Sequence, residues 1–196
     1  EAYAVLREGL AMSADEIGDV FERWNTGPLQ SYLIEISSKV AHAVDPETAI
    51  PMLDIIQDAA GQKGTGRWTV IEAQHLAAAV PAIEAAVVAR NLSSRLEERA
   101  RGQDMFGAAP NAIPDLDLET LQGALIAGKI LCYAQGFAMI DAASDKYGWP
   151  MPLPDIAKVW RAGCIIRSTM LNDMAQALSE NPGHNLIFAP YFADLL

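Results

Sequence analysis

From Asp117 to Tyr147 the chain carries one continuous pattern of large apolar and small residues that reads as a single long helix. Its large members, Leu118, Leu121, Leu125, Ile126, Ile130, Tyr133, Phe137 and Ile140, recur mostly at the three- and four-residue spacing of a helix. Between them stand Gly123, Ala124, Ala127, Gly128, Ala134, Gly136 and Ala138, small enough to admit neighbouring helices around much of the circumference. A helix that is apolar nearly all round is expected to be buried. The segment therefore predicts an all-α fold, a multi-helix bundle around one long central helix. Asp117 supplies the start signal and Gly148-Trp149-Pro150 the stop.

Helical periodicity dominates the remainder, and strand signals are weak. Residues 2–10 read as the end of a helix on Tyr3, Leu6 and Leu10. Ser13 followed by Glu16 has the capping-box pattern, which predicts a helix from near Ala14 to about Trp24. Gly27-Pro28 breaks it, and the next helix is predicted from Leu29 to about Val44. After the Asp45-Pro46 turn come a short helix, about Met52 to Ala60, then one resuming near Thr69 and another from Pro81 to about Arg101. Residues 102–116, rich in Gly, Pro, Asn and Asp, read as an ordered surface loop. Two further helices are predicted at about Leu153–Ala162 and Ile165–Glu180, and Asn181-Pro182-Gly183 is a turn. The last segment carries Phe188, Tyr191, Phe192, Leu195 and Leu196, which need a surface to cover them. These elements predict one helical domain over residues 1–196, expected to be truncated at both ends because Glu1 already stands inside a helical pattern.

The 196 residues carry a net charge of -11. An acidic surface repels nucleic acid and anionic membranes, so neither is an expected partner. An anionic ligand needs a local basic cluster working against that field. The apolar stretches are interrupted before the ~20 residues of a membrane span, and no secretory signal stands at the start. Cys132 and Cys164 lie among apolar residues without metal-ligand spacing, which predicts reduced core thiols in a cytoplasmic protein. His42, His75 and His184 are scattered, so no metal site is expected. Glu97-Glu98 with Arg95, Arg99 and Arg101 reads as a solvated helix face with local ion pairs. Trp24, Trp68, Trp149 and Trp160 read as core or interface anchors.

The segment that points to chemistry is Gly61-Gln62-Lys63-Gly64-Thr65-Gly66-Arg67-Trp68. Its glycines let the backbone turn tightly and approach a ligand without Cβ clashes. Lys63 and Arg67 add charge, Thr65 a hydroxyl, and the following helix its free N–H groups and positive dipole end. Together these suit a phosphate or a carboxylate. Composition alone slightly favours a plain helix–helix turn with two solvated cations. The lysine stands between glycines and no Gly-Lys-Ser/Thr ending follows, so this is not a Walker loop. Nor is it a dinucleotide fingerprint, which needs a preceding strand.

The run from Ile56-Gln57-Asp58 to Gly66-Arg67-Trp68 resembles the motif of the 6-phosphogluconate dehydrogenases at nearly every fixed position. In the right order, Trp24-Asn25 through Leu33-Ile34-Glu35-Ile36 resembles the family's "EWN…L.SYLIEI", and Val88-Ala89-Arg90-Asn91-Leu92-Ser93-Ser94 its "FAR.LSS". Tyr133-Ala134-Gln135-Gly136-Phe137 and the stretch from Trp160 to Ser168 resemble "YAQGF" and "WRGGCIIRS", with Ala162 in place of a glycine. The resemblance covers essentially the whole chain. It implies the helical substrate-binding and dimerisation part of a cytoplasmic, homodimeric oxidoreductase of the pentose phosphate pathway and gluconate utilisation. Such enzymes oxidise 6-phosphogluconate with NADP and release carbon dioxide to give ribulose 5-phosphate. By the same resemblance Lys63, Thr65 and Arg90 bind the substrate phosphate, and Arg67, where the family usually has lysine, is a possible helper. No catalytic residue is expected within residues 1–196: the family's catalytic lysine and glutamate, and the nucleotide-binding domain that holds most of the NADP, lie upstream. The isolated chain is therefore expected to be inactive. The competing expectation is a non-catalytic helical module that binds an anion or oligomerises.

Overall fold

A computed structural model of the chain describes residues 2–107, 112–113 and 115–196. Along the chain the helices are α1 (Ala2–Ala4), a π-turn (Val5–Gly9), α2 (Ala14–Trp24), α3 (Tyr32–His42), α4 (Met52–Ile55), α5 (Thr65–Leu76), α6 (Pro81–Ser93) and α7 (Leu96–Phe106). They continue with α8 (Leu118–Tyr147), α9 (Leu153–Trp160), α10 (Met170–Glu180), a 3-10 turn (Leu186–Phe188) and α11 (Pro190–Ala193). Among the described residues only two isolated bridges, Ser31–Ser168 and Val44–Pro51, have strand-like pairing. The architecture is all-α, as the periodicity predicts. Contacts divide the chain into two compact units. The first comprises Glu1–Ile56, Asn111–Ala127 and Pro152–Leu196; the second comprises Gln57–Pro110 and Gly128–Met151.

The first unit is built on burial. The Ser13 side chain accepts from the Glu16 N–H and the Glu16 carboxylate accepts from the Ser13 N–H, so the capping box that starts α2 is complete. α2 then turns Ile17, Val20, Phe21 and Trp24 inward with Leu6, Leu29 and Ala41, and the first turns of α8 add Leu118, Leu121, Leu125 and Ile126 to the same cluster. Trp24 is 1% exposed and meets the Phe21 ring edge-on, centroids 5.7 Å apart. Further along, α10 buries Met170, Leu171, Met174 and Leu178. It begins at Met170, not near Ile165, because residues 167–169 pair with an extended stretch instead. The Tyr32 N–H donates to the Arg167 carbonyl (3.1 Å) and the Thr169 N–H to the Gln30 carbonyl (3.2 Å). Arg167 and Lys39 both bond Glu35, Lys39 foremost, which holds that carboxyl down to about 2.

The second unit is built differently. Its buried apolar side chains are Ala73, Val80, Ile130, Ala134 and Phe137. The helix predicted from Pro81 to Arg101 is two helices, α6 and α7, divided at Ser94 and Arg95. α7 reaches Phe106, so residues 102–106 are helix where a loop is predicted; residues 108–111 and 114 of that loop lie outside the described residues. Along α8, the Gln135 side chain accepts from the Ala82 N–H (3.0 Å), Lys146 donates to the His75 carbonyl (2.6 Å) and Tyr147 to Glu72 (2.7 Å).

The long helix departs from expectation in two ways. It buries only Ile130, Ala134 and Phe137, and a Cβ at Gly123, Gly128 or Gly136 would meet nothing within 4 Å. The faces that carry Gly123, Ala124, Gly128 and Ala138 are exposed within this chain. For the same reason Cys132 is exposed, not a core thiol, and Cys164 is half-buried. Its apolar run is also longer than the sequence reading allows, because Lys129 is the one charged residue between Glu119 and Asp141. By length and composition α8 could cross a membrane, with a mean hydropathy of 1.4 over its most apolar window. Burial pulls the Lys129 ammonium down to about 8.

Candidate functional site

The candidate site lies within the second unit, at the start of α5. That helix begins at Thr65, four residues before the start that the periodicity predicts. Gly64, at φ +104°, turns the chain into it, and the Trp68 N–H makes the first ladder bond to the Gly64 carbonyl at 3.0 Å. The N–H groups of Thr65, Gly66 and Arg67 precede that bond, and no side chain caps them. The helix therefore presents open donors at its positive end. Lys63, Thr65 and Arg67 are all exposed there, and no ion pair engages Lys63 or Arg67 among the described residues. Trp68, predicted as an anchor, is 63% exposed; its ring lies over Gly64, where an added Cβ would come within 3.4 Å of it. Trp149 is likewise exposed, while Trp24 is the core anchor that was predicted.

The fold brings the distant cation to this loop. Arg90, near the end of α6, donates its Nε–H to the Gly61 carbonyl at 2.9 Å, two residues before Lys63. One edge of the guanidinium is thus fixed on the backbone, which leaves its terminal nitrogens for an anion. α5 and α6 approach closely at Gly66, where an added Cβ would lie 3.0 Å from Val87 Cγ2. Lys63, Thr65, Arg67 and Arg90 therefore share one neighbourhood of the second unit. Open N–H groups, a hydroxyl, an ammonium and guanidiniums together are the donor set that binds a phosphate dianion.

Sequence reasoning missed the residues that support this site. Arg99, read as part of a local ion-pair face, instead reaches back to Asp58. It donates to the Asp58 carboxylate (2.9 Å) and carbonyl (2.6 Å) and to the Ser93 carbonyl (3.2 Å). Among the described residues only Arg95–Glu98 is a local pair on that face, at 3.0 Å. Gln62 donates its side-chain amide to Asn91 Oδ1 (2.9 Å) and to the Val87 carbonyl (3.3 Å). Nothing in helical spacing signals contacts between an irregular loop and a later helix; the adjacency of Gln62 to Lys63 was the only clue.

In the first unit, donor atoms of Asp19, Glu22 and His42 lie within 4.8 Å of one another. His42 Nδ1 is 2.7 Å from Asp15 Oδ1, and Nε2 is 3.7 Å from Asp19 Oδ1. The Asp15 hydrogen bond raises the His42 pKa, with Asp19 and Glu22 adding to it. This grouping is a set of ion pairs between α2 and α3, invisible to spacing because His42 comes from a different helix.

Residues 1–196 match the family model described as the 6-phosphogluconate dehydrogenase, C-terminal domain. The chain is 45% identical over 201 residues to the NAD(+)-dependent, decarboxylating 6-phosphogluconate dehydrogenase of Bacillus subtilis (strain 168), covering 100% of this chain and 43% of that protein. It is 40% identical to the NADP(+)-dependent, decarboxylating 6-phosphogluconate dehydrogenase of the same organism, covering 100% of this chain and 43% of the relative. The structure is similar to that of Plasmodium falciparum 6-phosphogluconate dehydrogenase, solved in its apo form, with its cofactor NADP+ and with its substrate 6-phosphogluconate. The TM-score is 0.93 at 35% identity, over 98% of this chain and 43% of that one. The chain thus spans less than half the length of the relatives it matches. It belongs to the 6-phosphogluconate dehydrogenase family, and the domain it carries is that family's C-terminal domain.

Proposed function

We propose that this chain supplies the substrate-phosphate grip of a decarboxylating 6-phosphogluconate dehydrogenase, an enzyme that turns 6-phosphogluconate into ribulose 5-phosphate. The observation that carries the reading is the Arg90 Nε–H on the Gly61 carbonyl, which sets a guanidinium beside the uncapped start of α5. Lys63, Thr65 and Arg90 hold the phosphate, and Arg67, exposed on the first turn of α5, adds charge next to them. The nucleotide is NADP in this reading, although relatives of either nucleotide preference resemble the chain along its whole length. No residue here is assigned to the nucleotide, since a dinucleotide cradle needs a strand leading into its glycine loop and the described residues contain none. The protein acts in the cytoplasm, where cysteines such as Cys132 and Cys164, which form no disulfide with each other, are the rule. It acts as a homodimer; Val159, Ile165 and Phe188, each more than half exposed, are apolar surface of the kind a second subunit covers.

Lys63→Ala in the complete enzyme tests the grip. A charge-assisted hydrogen bond to the phosphate is lost, so the KM for 6-phosphogluconate should rise roughly 10- to 100-fold. An unchanged KM overturns the assignment.

A further inference from the structure

Between Ile55, the last residue of α4, and Thr65 the backbone has no helical ladder, so the segment that carries Lys63 must be held from outside. α6 and α7 hold it near three points. At Asp58, Arg99 takes both the carboxylate and the carbonyl. At Gly61, Arg90 takes the carbonyl. At Gln62, the side-chain amide meets Asn91 and the Val87 carbonyl. The last fastening has a particular place in the chain: Gln62 immediately precedes Lys63, and Asn91 immediately follows Arg90. One neutral hydrogen bond thus joins the chain neighbours of two cations that come from separate segments.

We infer that Gln62 and Asn91 are positioning residues, a neutral clamp that sets Lys63 against Arg90 before the phosphate arrives. The inference rests on the reading of residues 61–67 and Arg90 as a phosphate site. Neither amide adds charge to the site, so the pair acts on affinity through geometry. A loop free to wander would lose ordering entropy when the phosphate binds, and the clamp places that loss in folding instead. Arg90 and Arg99 contribute to the same fastening, but each also brings charge. The Gln62–Asn91 bond is the part whose effect can be separated from electrostatics.

The test compares Gln62→Met, Asn91→Leu and their double variant in the complete enzyme, with 6-phosphogluconate affinity measured at low and at physiological ionic strength. Methionine keeps the length of the glutamine stem and removes the amide. Asn91→Leu is expected to bind about 2- to 10-fold more weakly, the effect of one neutral hydrogen bond, and Gln62→Met at least as weakly, because it also loses the Val87 carbonyl. The double variant is expected to be no weaker than Gln62→Met, because that change already removes the shared bond. The salt dependence of binding should stay that of the parent, while Lys63→Ala reduces it. A general loss of fold gives neither the shared-bond pattern nor the preserved salt dependence. Unchanged affinity in both singles, with Lys63→Ala still weakened, overturns the clamp and leaves the phosphate site standing. Additive losses in the double variant overturn it as well. If Lys63→Ala and Arg90→Ala also bind normally, the phosphate reading falls and the clamp falls with it. Should Gln62→Met fail to fold, Asn91→Leu on the exposed face of α6 carries the test, and unchanged affinity there is sufficient to overturn the proposal.

Discussion

The two units of the chain solve the same problem by opposite means. The first buries Leu6, Ile17, Trp24, Leu29, Met170, Leu171, Met174 and Phe192 almost completely. Among the described residues the second buries two large apolar side chains to that degree, Ile130 and Phe137, and it fastens its irregular segment with polar side chains on backbone carbonyls. On the proposed reading of residues 61–67 and Arg90, the difference follows from what each surface does. A phosphate site needs open N–H groups, cations and water around it, and an apolar core beneath residues 57–64 would leave those groups without partners. The unit that carries the candidate site therefore trades burial for fastening, and its order is expected to be the more local and the more easily undone.

The contrast can be broken experimentally, and the largest effect tests it first. Trp24→Ala removes a fully buried side chain with its edge-on contact to Phe21, and should cost about 3–5 kcal/mol of unfolding free energy in denaturant titration. A cost below about 1 kcal/mol would mean that the first unit does not depend on its core. Next, Arg99→Ala removes three hydrogen bonds from Asp58 and Ser93. Hydrogen exchange at residues 58–62 should quicken about 10-fold, with the first unit unaffected. If the first unit's amides quicken equally, the fastening is not local and the comparison fails.

The smallest effect is electrostatic and belongs to the first unit. His42 gains its partner Asp15 on folding and its pKa is raised, so the unfolded imidazole holds its proton less tightly than the folded one. The stabilisation is fully present below the unfolded value of about 6.5 and is lost as pH rises through the higher folded value. Comparing the Tm of the parent with that of His42→Gln through this range should show the parent's advantage at acid pH shrinking toward alkaline pH. A difference that stays constant with pH would remove His42 from the account.

Local chemistry was legible in the sequence, and long-range chemistry was not. The Ser13–Glu16 box announced α2 because both partners lie within four residues, and Gly148-Trp149-Pro150 marked the end of α8. The start of α10 was not legible. Ile165 and Ile166 look helical, yet the residues after them pair with Gln30 and Tyr32 from the far end of the sequence. The candidate site shows the same division. Resemblance pointed to Lys63, Thr65 and Arg90, and the structure draws all three into one unit. The periodicity that makes Arg99 look like a solvated surface charge says nothing of Asp58, because that partner stands forty-one residues earlier. The open faces of α8 were misread for a related reason: small residues signal close approach without saying whose chain approaches.

The contact between Gly66 and Val87 carries a consequence for descent. Valine on a helix has little rotameric freedom to retreat, and an added Cβ at position 66 would stand 3.0 Å from one of its methyls. Enlarging residue 66 requires residue 87 to give by a few tenths of an ångström, so the two positions are expected to vary together. A glycine that need touch no ligand thus bears on the helix that brings Arg90 to Gly61.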